Sequence, residues 1–363
     1  MAEMTGLGII GIGGFGLFCL DKCRYIPGVK ITGIADINEE QLRIKADQFN
    51  IPYITNDWEE LIKRPDIDVV HIATPPSLHA AQGIAAAKAG KHVFMEKPLA
   101  ITMEEADELL AVAKEHHVKV GIDFVMRYST LYEDVRTIIQ ENLLGKPIRV
   151  LFENNAKDLP AGHWFWDPWL SGGIPVEHGV HFFDIFTSLF GPGKLAWAGR
   201  TTRDGNGDDK WLAVLRYRDD IFGTFYHGFD KPEIIEITFA EFEFEQGRIW
   251  LNGWIPETLS LDGVATEQAA QRLKEILQSV EFNELDRGEF KTLANGHEIS
   301  VAKRVKANIS AGAKLDIYGK AVQDAMADFI AWTKDENYAP RVTGVEGRNA
   351  LQMALAVTEM AKG

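Results

Sequence analysis

The sequence predicts an α/β fold in which a doubly wound parallel sheet is followed by an α+β domain with an open, mainly antiparallel sheet. Two observations support this. Strand-like and helix-like segments alternate through the first third of the chain, which is typical of parallel βαβ units. After about Asp123, long β-prone runs follow one another without intervening helices, which favours antiparallel pairing. We therefore expect domains over residues 1–123 and 124–363.

The elements of the first domain follow from hydrophobic periodicity. Thr102 and Glu105 have the spacing of a capping box, which predicts a helix start. In chain order we expect a strand over Leu7–Ile12, a helix to about Arg24, a strand over Val29–Ala35, a helix over Asn38–Phe49, a strand over Asp68–Ala73, a helix over Ser77–Ala89, a strand over His92–Glu96, a helix to about His117 and a strand over Val118–Ile122.

The second domain is predicted in the same way. Its expected strands cover Ile148–Asn154, Trp211–Arg216, Phe222–His227, Ile234–Glu245 and Arg248–Asn252. Its expected helices cover Leu131–Asn142, Pro175–Phe190, Glu267–Ser279, Tyr318–Trp332 and Glu346–Lys362.

Composition excludes several classes of partner. The 363 residues carry a net charge of −15, which disfavours nucleic acid and anionic membrane surfaces because both are negatively charged. No apolar run reaches the length of about 18 residues expected of a membrane span, so we expect a cytoplasmic protein. Cys19 and Cys23 lie four residues apart on a predicted helix, and we interpret them as apolar packing residues rather than a redox or metal pair.

Gly11, Gly13 and Gly16 fit the G-x-G-x-x-G pattern between a strand and a helix. Glycines there permit a tight turn, close approach of the backbone to a pyrophosphate, and close helix packing. The next strand ends at Asp36, whose carboxylate can accept hydrogen bonds from the adenosine ribose. Because an acid repels a 2′-phosphate, the sequence favours NAD over NADP.

The strand ends that follow are expected at the same rim of the sheet, where open α/β sheets bind ligands. The loop over residues 73–79 ends at His79, which either contacts the cofactor or is only a histidine near a helix start. Lys97 ends the next strand, and Pro98 can fix its turn through a cis bond. The predicted cofactor contacts are Gly11, Gly13, Gly14, Phe15, Gly16, Asp36, Thr74, Pro75, His79, Glu96 and Lys97.

The candidate catalytic groups are Lys97, Glu177 and His181. Lys97 can donate a hydrogen bond to a substrate oxygen. Glu177, His181 and Asp184 have helical spacing that predicts one polar face, where His181 could accept a hydroxyl proton and either acid could orient it. The alternative is a solvated helix face.

A zinc site is also disfavoured. Its ligands would be Glu177, His178, His181 and His163, but His178 points about 100° away from Glu177 around the helix. We therefore expect no metal. Trp164, Trp166 and Trp169 precede this helix, and they either stack on a sugar-like substrate or pack at a domain interface.

Five motifs in this order resemble the glucose–fructose oxidoreductase/inositol dehydrogenase (Gfo/Idh/MocA) family. They are GIGGFG at 11–16, ATPPSLH at 73–79, MEKP at 95–98, FVMRY at 124–128 and GGIPVEHGVHFFD at 172–184. The resemblance implies a Rossmann domain, an open-faced sheet used for oligomerisation, and NAD(P)-dependent oxidation of sugars, cyclitols or related alcohols. The family's catalytic lysine and histidine map to Lys97 and His181, and Arg127 is similar to residues that line its substrate cleft. Where the family usually has aspartate, this chain has Glu177.

The sequence and this resemblance together predict an NAD-dependent oxidoreductase that acts on a secondary hydroxyl of a sugar, cyclitol or related substrate. We expect a homo-oligomer, either a dimer or a tetramer. Two alternatives remain open: a glycosidase that uses transient oxidation and elimination, and a non-catalytic nucleotide sensor. The predicted substrate contacts are Arg127, Trp164, Trp166, His178 and Asp184.

Overall fold

The computed structural model describes residues 4–203, 207–218, 220–277, 280–285 and 288–362. Contacts group this part of the chain into two compact units, both discontinuous in sequence. The first unit contains the residues up to Tyr128 together with Gly162–Asp184 and Tyr318–Ala356, and the second contains the remainder. The domain boundary predicted between residues 123 and 124 remains a prediction. The contacts place the segment with Glu177 and His181 in the first unit, together with the N-terminal sheet.

The first unit contains the predicted parallel sheet, with strand order β3-β2-β1-β4-β5-β6. Its strands are β1 (Thr5–Ile10), β2 (Val29–Ala35), β3 (Ile54–Thr55), β4 (Val69–Ile72), β5 (His92–Met95) and β6 (Val120–Ile122). The strand order reverses between β1 and β4, which is the position where doubly wound sheets bind ligands. Sequence patterning missed β3 because two residues are too few to show a periodicity.

Five helices connect these strands. They are α1 (Gly14–Cys23), α2 (Glu39–Phe49), α3 (Trp58–Ile62), α4 (Pro76–Lys88) and α5 (Met103–Glu115). The capping box of Thr102 and Glu105 is confirmed at the start of α5. Cys19 and Cys23 are free, fully buried thiols on α1, where they pack in the core of the first unit.

The middle of the chain is less regular. It contains 3-10 turns over Val125–Tyr128 and Trp164–Trp166, and a π-helical turn over Pro175–Gly179. The helix predicted over Pro175–Phe190 is therefore divided, since its α-helical part begins at Val180. The regular elements are α6 (Thr130–Gln140), β7 (Pro147–Lys157), α7 (Pro168–Ser171) and α8 (Val180–Phe190).

The second unit contains a sheet with strand order β14-β17-β13-β12-β11-β7-β10-β9-β8, plus a separate β15-β16 hairpin. Its pairing is antiparallel except between β7 and β10, so the mainly antiparallel prediction is confirmed. The remaining strands are β8 (Gly193–Arg203), β9 (Gly207–Tyr217), β10 (Ile221–Lys231), β11 (Ile237–Phe244), β12 (Gly247–Asn252), β13 (Thr258–Ala265), β14 (Val280–Glu284), β15 (Phe290–Ala294), β16 (His297–Val301) and β17 (Lys303–Ser310).

Two differences from the predicted second domain have local causes. The strand expected from Ile234 begins at Ile237 because a 3-10 turn covers Glu233–Ile235 after Pro232. The edge strand β8 was missed because most of its side chains are at least partly exposed and it lacks a dense apolar run.

The remaining helices are α9 (Glu267–Leu277), α10 (Lys314–Lys334) and α11 (Gly344–Met360). The end predicted for α9, Ser279, lies outside the described residues. Phe329 of α10 packs on β6 at Gly121, where an added Cβ would lie 2.4 Å from its ring. This close packing explains why most of α10 belongs to the first unit. None of the described helices is long and apolar enough to cross a membrane.

Candidate functional site

The glycines between β1 and α1 serve two different purposes. Gly11 has a φ of +87°, and an added Cβ would lie 2.6 Å from the Ala73 carbonyl oxygen. At Gly16, an added Cβ would lie 2.0 Å from the Gly11 carbonyl oxygen. At Gly13 and Gly14 it would meet nothing within 4 Å. Packing therefore requires Gly11 and Gly16, whereas Gly13 and Gly14 leave the start of α1 open to a ligand.

A cavity of about 330 Å³ lies at the carboxyl ends of β1, β2 and β4. Five of the predicted cofactor contacts line it: Gly11, Gly13, Asp36, Thr74 and Pro75. The prediction missed several other lining residues, which come together only in the fold and of which only Leu78 lies within a quoted motif: Ile37, Asn56, Trp58, Leu78 and Gln82. The sequence offered one signal for Ile37, because this apolar residue directly follows Asp36. In the structure its side chain is 94% exposed.

Asp36 is anchored to the glycine loop. Its Oδ2 accepts a hydrogen bond from the Ile12 N–H at 2.8 Å, and its Oδ1 accepts one from the Asn38 N–H at 2.9 Å. Each carboxylate oxygen can accept another hydrogen bond. The open glycine backbone and this acid fit the pyrophosphate and ribose hydroxyls of NAD, while the acid disfavours a 2′-phosphate.

The other predicted cofactor contacts lie outside that cavity lining. His79 is buried, and its ring nitrogens lie 2.7 Å from the Pro98 carbonyl oxygen and 2.8 Å from that of Thr74. The ring therefore links the loop after β4 to the turn after β5. Phe15 stacks on Tyr318, with ring centroids 5.6 Å apart. Contacts of Gly14, Phe15, Gly16, His79, Glu96 and Lys97 with a cofactor remain predictions.

Lys97 and Glu177 form a largely buried ion pair. The Lys97 Nζ donates to Glu177 Oε1 at 2.5 Å and to the Glu177 main-chain carbonyl oxygen at 2.8 Å. The side chains are 16% and 12% exposed, respectively. The peptide bond between Lys97 and Pro98 is cis, as predicted. Glu177 lies in the π-helical turn, a type of irregularity that occurs frequently at functional sites.

His181 lies one turn beyond Glu177, near the start of α8, and is only 3% exposed. Burial, and secondarily the positive charge of Lys97, hold the pKa of His181 well below its usual value. The imidazole is therefore neutral near neutral pH and has a lone pair that can accept a proton. The ring of Phe124 lies edge-on to it, with centroids 6.0 Å apart.

Arg127 and Asp184 pair with each other. The Arg127 Nε and Nη2 donate to the two Asp184 oxygens at 2.6 and 2.7 Å. Burial tends to lower the pKa of Arg127, but Asp184 raises it overall. The polar face predicted for the helix over Pro175–Phe190 is therefore divided between two partners, since Glu177 contacts Lys97 and Asp184 contacts Arg127. Contacts of Arg127 and Asp184 with a substrate remain predictions.

The tryptophan segment has a graded exposure. Trp164 is 37% exposed, Trp166 is half-buried, and Trp169 is 83% exposed. His163 Nδ1 accepts a hydrogen bond from the Phe165 N–H at 3.2 Å. His178 lies against Phe182, with ring centroids 5.2 Å apart. Roles for Trp164, Trp166 and His178 in substrate binding remain predictions.

Comparison with known proteins places this site in context. A model of the oxidoreductase family with an NAD-binding Rossmann fold matches residues 5–124. A model of the GFO/IDH/MocA C-terminal domain matches residues 132–241. The two matches together cover more than half of the chain.

Curated relatives align over a shorter part of the chain. An uncharacterized oxidoreductase of Bacillus subtilis is 31% identical over 191 residues, which are 53% of this chain and 55% of the relative. Myo-inositol 2-dehydrogenase of Thermotoga maritima is 26% identical over 51% of this chain and 54% of its own length. The chain therefore spans about half the length of each of these relatives.

A solved structure extends the likeness in fold to almost the whole chain. Levoglucosan dehydrogenase, in complex with NADH and levoglucosan, superimposes with a TM-score of 0.80 and 21% identity. The match covers 99% of this chain and 98% of that protein. At this level of identity, the comparison shows the shared fold.

Proposed function

Because the chain belongs to the Gfo/Idh/MocA oxidoreductase family, we propose that it is an NAD-dependent dehydrogenase acting on a secondary hydroxyl of a sugar, cyclitol or related substrate. The observation that carries this proposal is the proximity of Lys97 and Glu177 together with a neutral, buried His181. A protein that only binds a nucleotide has no need of a cation and a base in one buried region.

Lys97 binds the reacting oxygen in this proposal. Its ammonium has three N–H donors, and two of them are used by Glu177. The third donates to the substrate hydroxyl oxygen and stabilises negative charge as that oxygen becomes alkoxide-like. Glu177 holds the ammonium in place through both its side chain and its backbone.

His181 is the general base. The hydroxyl O–H bond breaks, its proton moves to the neutral imidazole, and the oxygen keeps the electron pair that forms the carbonyl. When bound, NAD supplies the acceptor for the hydride that leaves the substrate carbon. The low pKa of His181 keeps the base unprotonated at working pH.

Asp36 supports NAD as the cofactor. Both of its oxygens are held by main-chain N–H groups at 2.8 and 2.9 Å, so the carboxylate is fixed at the cavity wall. We expect Asp36→Ala to weaken NAD binding and to reduce the preference of the protein for NAD over NADP. Kd values for both cofactors, measured by calorimetry, test this directly.

The substrate class rests on the relatives, one of which is named for myo-inositol, and on the exposed tryptophans. An aromatic face packs well against the C–H face of a sugar ring.

The proposal of a homo-oligomer is supported by apolar side chains that are exposed on the sheet of the second unit, at Trp197, Leu212 and Phe222. Light scattering during size exclusion measures the number of subunits.

The main test is turnover with NAD and a panel of sugars, inositols and sugar acids, followed by NADH absorbance. His181→Ala is expected to lower kcat by about 10²- to 10⁴-fold while NAD binding is retained. His227→Ala is a matched control, because His227 is also buried but lies in the second unit. An unchanged rate in His181→Ala would falsify the assigned base.

The same assay separates the alternatives. Release of an aglycone without net NADH indicates the glycosidase. Cofactor binding with no turnover on any substrate, together with a stable protein complex, indicates the sensor.

A further inference from the structure

A buried polar cluster lies on one face of the parallel sheet. His71 of β4 pairs in register with Phe94 of β5, and Glu96 follows two residues later. Asp123 aligns beside Glu96, since its N–H donates to the Met95 carbonyl oxygen at 2.8 Å. Because side chains alternate along a strand, His71, Glu96 and Asp123 point to the same face.

Side-chain contacts confirm the positions of His71 and Glu96. His71 Nε2 lies 3.4 Å from Glu96 Oε1, and Cys19 Sγ lies 3.9 Å from the same oxygen. His71 and Cys19 are completely buried, Asp123 is 1% exposed and Glu96 is 8% exposed. Glu96 thus gives the cluster its small access to solvent.

The two carboxyl groups cannot both be ionised at low cost. Asp123 lies beside Glu96 at the end of the neighbouring strand, and Glu96 adds to the effect of burial in raising the pKa of Asp123. In the described part of the chain, no N–H or O–H donor reaches either buried oxygen of Asp123. A buried carboxylate without a donor is costly, and the two neighbouring groups can hydrogen-bond to each other only when one of them carries a proton. Two acids in such contact titrate as a pair.

We propose that Glu96 and Asp123 form a proton-binding site that shares one proton and releases it when the positive charge of the oxidised cofactor is bound. This coupling rests on the proposed function, because it places a nicotinamide at the same rim of the sheet. Lys97 directly follows Glu96 in the chain, and both acids lie at the carboxyl ends of their strands. A positive charge at that rim favours the ionised pair.

The surrounding groups set the pH range in which the pair of acids titrates. Burial raises the pKa of Glu96 to about 7 and raises that of Asp123 well above its usual value. Burial also lowers the pKa of His71 to about 4, which leaves that ring neutral. Lys97 is therefore the cation at neutral pH among the titratable groups that face the pair. These groups are Cys19 and Cys23 of α1, His71 of β4, Lys97 of the turn, Tyr128 of the 3-10 turn and Tyr318 of α10.

The test is calorimetric titration of the full chain with NAD⁺ and with NADH, each in two buffers of different ionisation enthalpy. We expect NAD⁺ to release up to about one proton more than NADH near neutral pH. By linkage, the ratio of Kd(NADH) to Kd(NAD⁺) should rise as pH increases, by at most about tenfold per pH unit. Asp123→Asn should abolish both effects.

Asp134→Asn is the matched control. Burial also raises the pKa of Asp134, to about 6, but this residue lies in the second unit. We expect this variant to retain the difference in proton release. Equal release with both cofactors, or a stoichiometric metal ion bound by the pair, overturns the proposal.

Infrared spectroscopy tests the shared proton without a cofactor. The wild-type protein should show a carboxyl C=O band that titrates near neutral pH and is lost in Glu96→Gln or Asp123→Asn. If neither cofactor binds, the proposed function fails while this band still supports the shared proton. Absence of the band overturns the shared proton itself. If Asp123→Asn does not fold, Glu96→Gln replaces it in both experiments.

Discussion

Lys97 donates two hydrogen bonds to the same residue, one to the Glu177 carboxylate at 2.5 Å and one to the Glu177 main-chain carbonyl oxygen at 2.8 Å. The backbone bond is independent of side-chain type. The carboxylate bond depends on both the charge and the reach of the side chain. The π-helical turn carries Glu177 and so positions both acceptors of the Lys97 ammonium.

This pairing predicts the effect of changing Glu177. Glu177→Gln keeps an acceptor oxygen but removes the charge, so Lys97 should be held less firmly. We expect kcat/KM to fall about tenfold, which corresponds to about 1.4 kcal/mol of transition-state stabilisation. Glu177→Asp should fall as well, because the shorter side chain reaches less far. Steady-state kinetics with unchanged NAD affinity checks this, and unaltered kcat/KM in both variants contradicts it.

The lowered pKa of His181 predicts how kcat/KM changes at acidic pH. Its pKa is lowered by burial and by Lys97, so the neutral base persists below the ordinary histidine pKa of about 6.5. We expect kcat/KM to stay constant as pH falls through about 6.5 and to decline only at lower pH. Titration of the His181 ring protons by NMR provides the independent value. A ring that protonates at or above about pH 6.5 would argue against this assignment.

The glycine loop predicts opposite results for two alanine substitutions. Gly13 has a φ of −60°, and its added Cβ meets no protein atom within 4 Å, so Gly13→Ala should weaken NAD binding with little change in stability. Gly16→Ala places a Cβ 2.0 Å from the Gly11 carbonyl oxygen. This overpacking should cost about 1–3 kcal/mol of unfolding free energy. Calorimetry and urea unfolding measure the two effects, and the reverse assignment would refute the interpretation.

The buried pair of Arg127 and Asp184 predicts a large stability effect. Asp184→Asn leaves the guanidinium, which is only 13% exposed, without its counter-charge. We expect a loss of about 3–5 kcal/mol in the free energy of unfolding, measured by denaturant titration. The control is Asp107→Asn, which removes the partner of Arg348 at the surface and should change stability little because solvent screens that pair. Equal losses in the two variants would contradict the buried role.

The Glu96–Asp123 pair predicts the pH dependence of stability. Because the folded pKa of Glu96 is raised to about 7, the folded state binds more protons than the unfolded state between about pH 4.5 and 7. The free energy of unfolding should therefore fall as pH rises through that window. The lowered pKa of His71 acts in the opposite sense, since its contribution is lost as pH falls from about 6.5 to about 4.

Asp123→Asn removes one of the two raised acids and leaves His71 in place. The decline in stability between about pH 4.5 and pH 7 should therefore be shallower than in the wild type. Thermal unfolding at several pH values measures both slopes. Parallel curves for the two proteins would show that the pair does not titrate as described.

Much of the first unit could be predicted because its signals are local. The strand over Val29–Ala35 was predicted at its observed bounds. The glycine spacing and Asp36 also lie within one βαβ unit, so a single stretch of chain contains the whole signal. Trp58 and Gln82, which line the same cavity, come from helices with no distinguishing pattern.

The pairing of the candidate catalytic residues could not be predicted from the sequence. Lys97 and His181 were recognised from motifs, whereas the helical spacing of Glu177 and Asp184 implied one shared face. The π-helical turn and the two buried cations gave these acids separate partners. His79 was similarly recognised as part of a loop motif, but its contacts with Thr74 and Pro98 follow from how two loops meet.

The sequence by itself determined the order of the elements, the glycine turn that opens α1, and the residue types available for chemistry. These depend on backbone conformation and on hydrophobic periodicity, which act over short stretches of chain. Only the tertiary structure decided that Lys97 pairs with Glu177, 80 residues away, and that Glu96 meets Asp123. Buried charges take whichever partner the packing brings within hydrogen-bonding distance, and a linear pattern does not contain that distance.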